Sequence, residues 1–227
     1  MDYFKTFANV KKAFKEFTKK LPADGFLVDE KYPFKKKDAA ALKKVLKIPG
    51  MHNVSNALMA LAVARHLKID DSISFASLAE YKGSWRRFEI IKTKPYTLIS
   101  DYAHHPTEIL ATLTAAREKY PKKKIWCIFQ PHQYQRTFYL FKDFVALFKK
   151  INIDYITITD IYDVAGREEK QINQKVSSEM LVKKIGRKNI QYMPIDAAET
   201  FVKENIKSGE VLIIMGAGDI YKIIDNF

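Results

Sequence analysis

Tyr96-Thr-Leu-Ile-Ser-Asp-Tyr-Ala-His-His-Pro-Thr-Glu-Ile-Leu110 is the stretch that decides the fold of this 227-residue chain. Its apolar run (Tyr96, Leu98, Ile99) predicts a strand, which delivers Asp101, Tyr102 and the paired imidazoles His104 and His105 to a turn. Pro106 then opens a helix, because its fixed φ suits the first helical position. Ile109, Leu110, Leu113 and Ala116 recur at helical spacing and are expected on its inner face. Titratable side chains at the C-terminal end of a strand are where open α/β sheets bind ligands. On this stretch alone a plainer reading stays open, a capped strand–helix turn with incidental histidines.

The same alternation runs on either side. Strands are predicted at Phe88 to Lys92, Tyr96 to Ser100, Ile125 to Phe129, Tyr155 to Thr159, Ile190 to Met193 and Val211 to Met215. Helices are expected near 107–119, 138–150, 176–185, 196–206 and 218–225. Such βαβα order predicts an α/β fold, a doubly wound, mostly parallel sheet with helices on both faces. The first two strands are close enough in sequence to form an antiparallel edge. Upstream the pattern is helical. Phe4, Phe7, Val10, Phe14 and Phe17 make an amphipathic helix over 3–19, its phenylalanine stripe expected in the core. A short strand is expected at Gly25 to Val28 and a helix at Ala39 to Leu46, before Pro49-Gly50 breaks the chain. A strongly apolar helix from Asn53 to Leu67, with Ala57, Leu58, Leu61, Ala64 and Leu67 inward, precedes a shorter one at Ser72 to Glu80. The change of character near Gly83 predicts two domains, 1–83 and 84–227.

Composition narrows the class. At 47% hydrophobic and 29% charged, the chain has the make-up of a globular protein with a real core. No stretch is long enough to span a membrane, and the first residues lack a signal-peptide core. The single Cys127 excludes an internal disulfide and fits a reducing compartment, so a cytoplasmic protein without a membrane partner is expected. The net charge of +13 is carried by lysines scattered over helices and loop runs such as Lys35 to Lys37. With no arginine-rich tail, zinc spacing or helix-turn-helix pattern, this reads as a solvated surface and not as a nucleic-acid interface.

Four turns carry residues that folding alone does not require: Asp101 to His105, Gln130 to Thr137, Asp160 to Gly166, and Gly216 to Asp219. Parallel strands bring their C-terminal ends to one edge, so His104, His105, His132, Arg136, Asp160 and Asp219 are expected to converge there. Imidazole and guanidinium suit an anionic substrate. No metal site is expected from the histidine spacings. Gly216-Ala-Gly-Asp219 lacks the third glycine of a dinucleotide fingerprint and reads first as a compact turn. Upstream, His52 is expected to cap the helix after Gly50, and Asn53 and Asn56 to share one of its faces. The pair Arg86-Arg87 at the domain junction suits either a phosphate clamp or a salt bridge.

Taken in order, PGMHNVSNAL, GSWRRFE, DYAHHPTEI, FQPHQYQRT, DIYDVAG and GAGDI resemble the Mur ligase family, the ATP-dependent amide ligases of peptidoglycan assembly. The resemblance implies the tail of a central ATPase domain followed by a whole Rossmann-like C-terminal domain. It places His52, Asn53 and Asn56 near the adenine, Arg87 at the ATP phosphates and Asp101 near the ribose and hinge. It sets Tyr102, His104, His105, His132 and Arg136 along the amino-acid acceptor and acyl phosphate, with Arg87, His104 and His105 as the catalytic group. ATP and Mg²⁺ are the implied cofactors, UDP-N-acetylmuramate and L-alanine the implied substrates. The sequence also departs from the family. It holds no G-x-x-x-x-G-K-[ST] loop, and the stretch from Phe26 to Pro49 is short. Gln133 stands where an arginine is usual and Ser100 where a second acid is common. The expectation is a ligase portion inactive alone, its N-terminal domains supplied in cis or in trans. The alternative is a non-catalytic nucleotide- or partner-binding module.

Overall fold

The computed structural model describes residues 4, 6–29, 32–164 and 168–227. The chain divides into two compact units, Met1–Lys82 and Gly83–Phe227.

The first unit is helical. Helix α1 (Phe7–Thr18) starts at Thr6, whose hydroxyl accepts from the Asn9 backbone N–H at 3.2 Å. Helices α2 (Lys36–Val45), α3 (Met51–His66) and α4 (Asp71–Glu80) close around Leu42, Val54, Ala57 and Leu61. Arg65 staples them: Nε and Nη2 each donate to a carboxylate oxygen of Asp71 at 2.8 Å, and Nη1 donates to the buried Asp38 at 2.6 Å. The guanidinium's hydrogen bonds hold both carboxyls below the usual carboxylate range.

Several expectations for this unit are corrected. The phenylalanine stripe of α1 is not core, since Phe14 and Phe17 are 64% and 70% exposed and α1 buries no residue. Gly25 to Val28 is not a strand. Among the described residues it has no ladder partner, and Phe26 stacks on His66 with ring centroids 3.9 Å apart. Leu67 falls beyond the end of α3 and is exposed, whereas Val54 and Ala62 turn inward.

The second unit carries the predicted sheet. Its strands are β1 (Glu89–Lys92), β2 (Thr97–Asp101), β3 (Ile125–Phe129), β4 (Tyr155–Ile158), β5 (Ile190–Tyr192) and β6 (Val211–Met215), in the spatial order β1-β2-β6-β3-β4-β5. Only β1 pairs antiparallel, forming the expected edge. Side chains alternate between two cores, as the period of two in a strand requires. Ile125, Cys127, Phe129, Ile213 and Met215 meet helices α5 (Pro106–Lys119), α7 (Phe141–Lys150) and α8 (Ser178–Ile185). Trp126, Ile128, Leu212 and Ile214 meet α9 (Ile195–Asn205) and a final 3-10 segment, Asp219–Asn226. The expected helix 138–150 is two, α6 (Tyr134–Tyr139) and α7, separated at Leu140. Leu110 lies outside the α5 core face and is 48% exposed. Phe88 precedes β1 because its φ of 50° is left-handed, not extended.

Strand β6 is last in sequence but sits between β2 and β3. The C-terminal ends of β2, β6, β3 and β4 are therefore consecutive along one edge, and all four polar turns leave from it.

Candidate functional site

Asp101 ends β2, and its carboxylate is spent on the backbone. Oδ2 accepts from Phe88 N and Oδ1 from Ala103 N, both at 2.8 Å, while Thr112 Oγ1 donates at 3.1 Å. Burial raises its pKa, opposed by these donors. It fixes how the chain enters and leaves the turn, and it is 4% exposed.

His105 then caps α5, its Nδ1 accepting from Thr107 N at 3.3 Å. Glu108 completes the capping box: Oε2 accepts from the backbone N–H groups of His104 at 3.2 Å and His105 at 3.3 Å. Burial alone would raise the Glu108 carboxyl, but these donors and the His104 ring hold it below its ordinary value. His104 Nδ1 lies 3.1 Å from Tyr102 O and 3.3 Å from Glu108 Oε2. Both partners are acceptors, so Nδ1 carries the proton and Nε2 keeps its lone pair.

After β3, Tyr162 N donates to Pro131 O and Gln133 N donates to Tyr162 O, both at 2.8 Å, and Gln133 turns the chain with φ 72°. Glu168 caps α6 from across the loop, accepting from Tyr134 N at 2.8 Å and Gln135 N at 2.7 Å. This backbone presents His132, which stacks on Tyr162 (5.4 Å, 15°) and meets His104 edge-on at 5.7 Å. Arg136, one helical turn on, donates from Nη1 to His132 Nδ1 at 3.2 Å. The neutral His132 ring therefore carries its proton on Nε2, the opposite tautomer to His104. Burial, then the Arg136 charge, then His104 push the His132 pKa down to about 4. Burial also lowers His104 and His105. All three rings are neutral near pH 7.

The arginine pair divides. Arg86 is buried, its guanidinium carbon 5.4, 5.0 and 4.8 Å from the ring centroids of Trp85, Tyr102 and Tyr221. Nη2 donates to Gly216 O, Nε has no partner, and burial works against the charge. Arg87 is exposed, with its guanidinium 5.5 Å from the Tyr102 ring.

Tyr102, His104, His132, Arg136 and Arg87 thus line one edge, each linked to the next by the contacts above except that Arg87 reaches the group through Tyr102. His105 adjoins them at the start of α5. Asp160 and Asp219 do not join. Asp160 accepts from Tyr192 OH on β5 at 2.6 Å, and Asp219 accepts from Gln130 Nε2 at 3.0 Å. The glycine turn is closed as well: a Cβ on Gly218 would lie 2.4 Å from Gln130 Oε1 and 2.5 Å from Tyr162 Cγ, leaving no cradle open. Ala165 and Gly166 of the DIYDVAG motif lie outside the described residues. Among the described residues no three His, Cys, Asp or Glu come together to hold a metal ion.

On α3, His52 is one residue inside the helix and exposed. It is not the cap, because Gly50 takes that place and no side chain bonds there. Asn53 Nδ2 donates to Pro49 O at 2.7 Å, and the exposed His52 and Asn56 share a face.

Sequence reading missed Glu108, Tyr162, Gln130 and Glu168 as builders of this edge, and it did not separate the buried Arg86 from the exposed Arg87. Glu108 was recoverable from its position three residues after His105. The others act through partners distant in sequence.

The second unit is thus a doubly wound α/β domain whose strand C-termini carry neutral imidazoles and arginines. The family model described as Mur ligase, glutamate ligase domain matches residues 86–218. The chain belongs to the Mur ligase family. It is 36% identical to the UDP-N-acetylmuramate–L-alanine ligase of Clostridium tetani, over 100% of this chain and 58% of that protein. The ligase of the same name from Alkaliphilus metalliredigens is 34% identical over 98% of the chain and 56% of its own length. Among solved structures, the UDP-N-acetylmuramate–alanine ligase of Thermotoga maritima superposes with a TM-score of 0.60 and 28% identity, covering 80% of this chain and 38% of that one. The chain spans a little under three fifths of the curated relatives it matches.

Proposed function

We propose that this chain forms the C-terminal wall of an ATP-dependent carboxylate–amine ligase that joins L-alanine to UDP-N-acetylmuramate. In this reading Gly83–Phe227 is the C-terminal ligase domain and the first unit is the tail of a central ATPase domain. The observation that carries it is the opposed pair of neutral imidazoles beside Arg136, His104 with a lone pair on Nε2 and His132 with a proton on Nε2, neither Nε2 hydrogen-bonded among the described residues. An amine reaches a carboxyl carbon only after losing a proton, and the carbonyl oxygen gains charge as it attacks. A base and a preorganised donor serve those two needs.

ATP supplies the phosphoryl group that activates the sugar's carboxylate. Arg87 fits its phosphates, being exposed and free of any carboxylate among the described residues, with five N–H donors to offer. His52, Asn53 and Asn56 are assigned to the adenine on family resemblance, and Asp101 acts by holding the turn. Arg136 keeps the His132 tautomer and lends positive charge, Tyr102 supports Arg87, and His105 positions the start of α5. Mg²⁺ is assigned no residue of this chain. The described residues offer it no cluster of three His, Cys, Asp or Glu.

The test mixes the 227-residue chain with the portion of the Clostridium tetani ligase outside the match and follows phosphate release. Release dependent on ATP, UDP-N-acetylmuramate and alanine is expected, falling about 10²-fold in His132→Ala and Arg136→Ala. A complex that releases no phosphate, or variants as active as the parent, would overturn the proposal.

A further inference from the structure

Helix α1 shows water what helices normally hide. Val10 and the phenylalanines at 7, 14 and 17 fall on one stripe, the spacing of a buried face, yet those three phenylalanines are all more than half exposed. Twelve residues of isolated helix are marginal in water, so such a helix needs a packing partner. The first unit does not provide one. Among its described residues the buried hydrophobics are Leu42, Val54, Ala57, Leu61 and Ala62, none of them from α1. The second unit, by contrast, buries both faces of its sheet. So small a core leaves α1 without support among the described residues of its unit, and an exposed apolar face of this size marks an interaction surface.

What covers it is indicated by the relatives. The Clostridium tetani ligase aligns with all of this chain, α1 included, and the chain accounts for 58% of it. We infer that the Phe7–Phe14–Phe17 face of α1 is the seat for the portion of a Mur ligase that lies outside the matched stretch. The inference rests on the ligase reading above and adds to it the surface through which the two parts join.

Hydrogen exchange of the 227-residue chain, alone and with the portion of the Clostridium tetani ligase outside the match, tests it. Alone, the α1 amides exchange at nearly unprotected rates. With the ligase portion they slow by about 10-fold or more. The double substitution Phe14→Glu, Phe17→Glu removes both that slowing and the complex seen by sedimentation, while protection of β2, β3 and β6 is unchanged. Failure to form a complex overturns the inference, as does a complex in which α1 stays unprotected or the double variant binds normally. So does α1 protection that grows with the chain's own concentration, or that appears with anionic phospholipid vesicles in place of the ligase portion. Phosphate release is read separately. Its absence while α1 is protected overturns the ligase reading and leaves the docking face standing, whereas release with α1 unprotected does the reverse.

Discussion

His132 is held uncharged by burial and by Arg136, and that has a price in acid. Its folded pKa of about 4 lies below the unfolded value of about 6.5. Between those limits the unfolded chain binds more protons, so stability falls as pH drops from about 6.5 toward 4 and the loss is complete below that. Because the ring is only half buried and solvent screens it, we expect a contribution of about 1–2 kcal/mol, not the full shift. Urea midpoints at pH 7 and pH 4.5 should fall further in the parent than in His132→Asn. His104 and His105 titrate in the same direction but are common to both proteins, so equal losses would refute the assignment. At this scale the sequence announces residue types, not their duties. Strand–turn–helix spacing marked Asp101, His104 and His132 as candidates, and the structure brings both histidines to one edge. That Asp101 is consumed by Phe88, Ala103 and Thr112, or that Asp160 turns to Tyr192, depends on backbone paths no local window contains.

The glycine turn after β6 shows how an element, not a residue, aims the site. Gly218 has φ −81°, so it is needed for space and not for conformation. A methyl group there meets Gln130 Oε1 and the Tyr162 ring, and Tyr162 is the platform under His132. Gly218→Ala should cost about 1–3 kcal/mol by overpacking, read as a lower urea midpoint at unchanged slope. Gly209 has φ +86° and open space around it, so Gly209→Ala meets only backbone strain and should cost about 1 kcal/mol. A Gly218 variant as stable as the parent would show that the turn has room to move. Elements were the most legible level. Alternation gave six strands and the antiparallel edge, because each strand's period of two and each helix's period of 3.6 are local properties. Local pattern does not by itself supply a packing partner. The α1 stripe and Leu67 have core spacing without core contacts, and Gly25 to Val28 has strand composition without a neighbouring strand.

Across the whole molecule, burial is unequally shared, and this governs how it should unfold. The two large core clusters draw every member from residue 88 onward, and the small one from residue 78 backward. Each fully buried aliphatic or aromatic side chain contributes about 1.5–3 kcal/mol, against about 1–2 kcal/mol of backbone entropy for every residue ordered. The second unit has buried side chains on both sheet faces to meet that cost, and the first has very few. Residues 83–227 expressed alone should therefore fold cooperatively, with a urea midpoint within about 0.5 M of that of the same sheet in the full chain. The sheet is followed by Trp126 fluorescence, since that indole is buried and donates to Glu210 at 2.8 Å. Trp85 is exposed and is replaced by phenylalanine in both proteins so that only the sheet is seen. Residues 1–82 alone should show helical circular dichroism that melts without a sigmoid. A cooperative transition in the isolated first unit would mean that its small core suffices, and the exposed face of α1 would lose its reason for needing a partner.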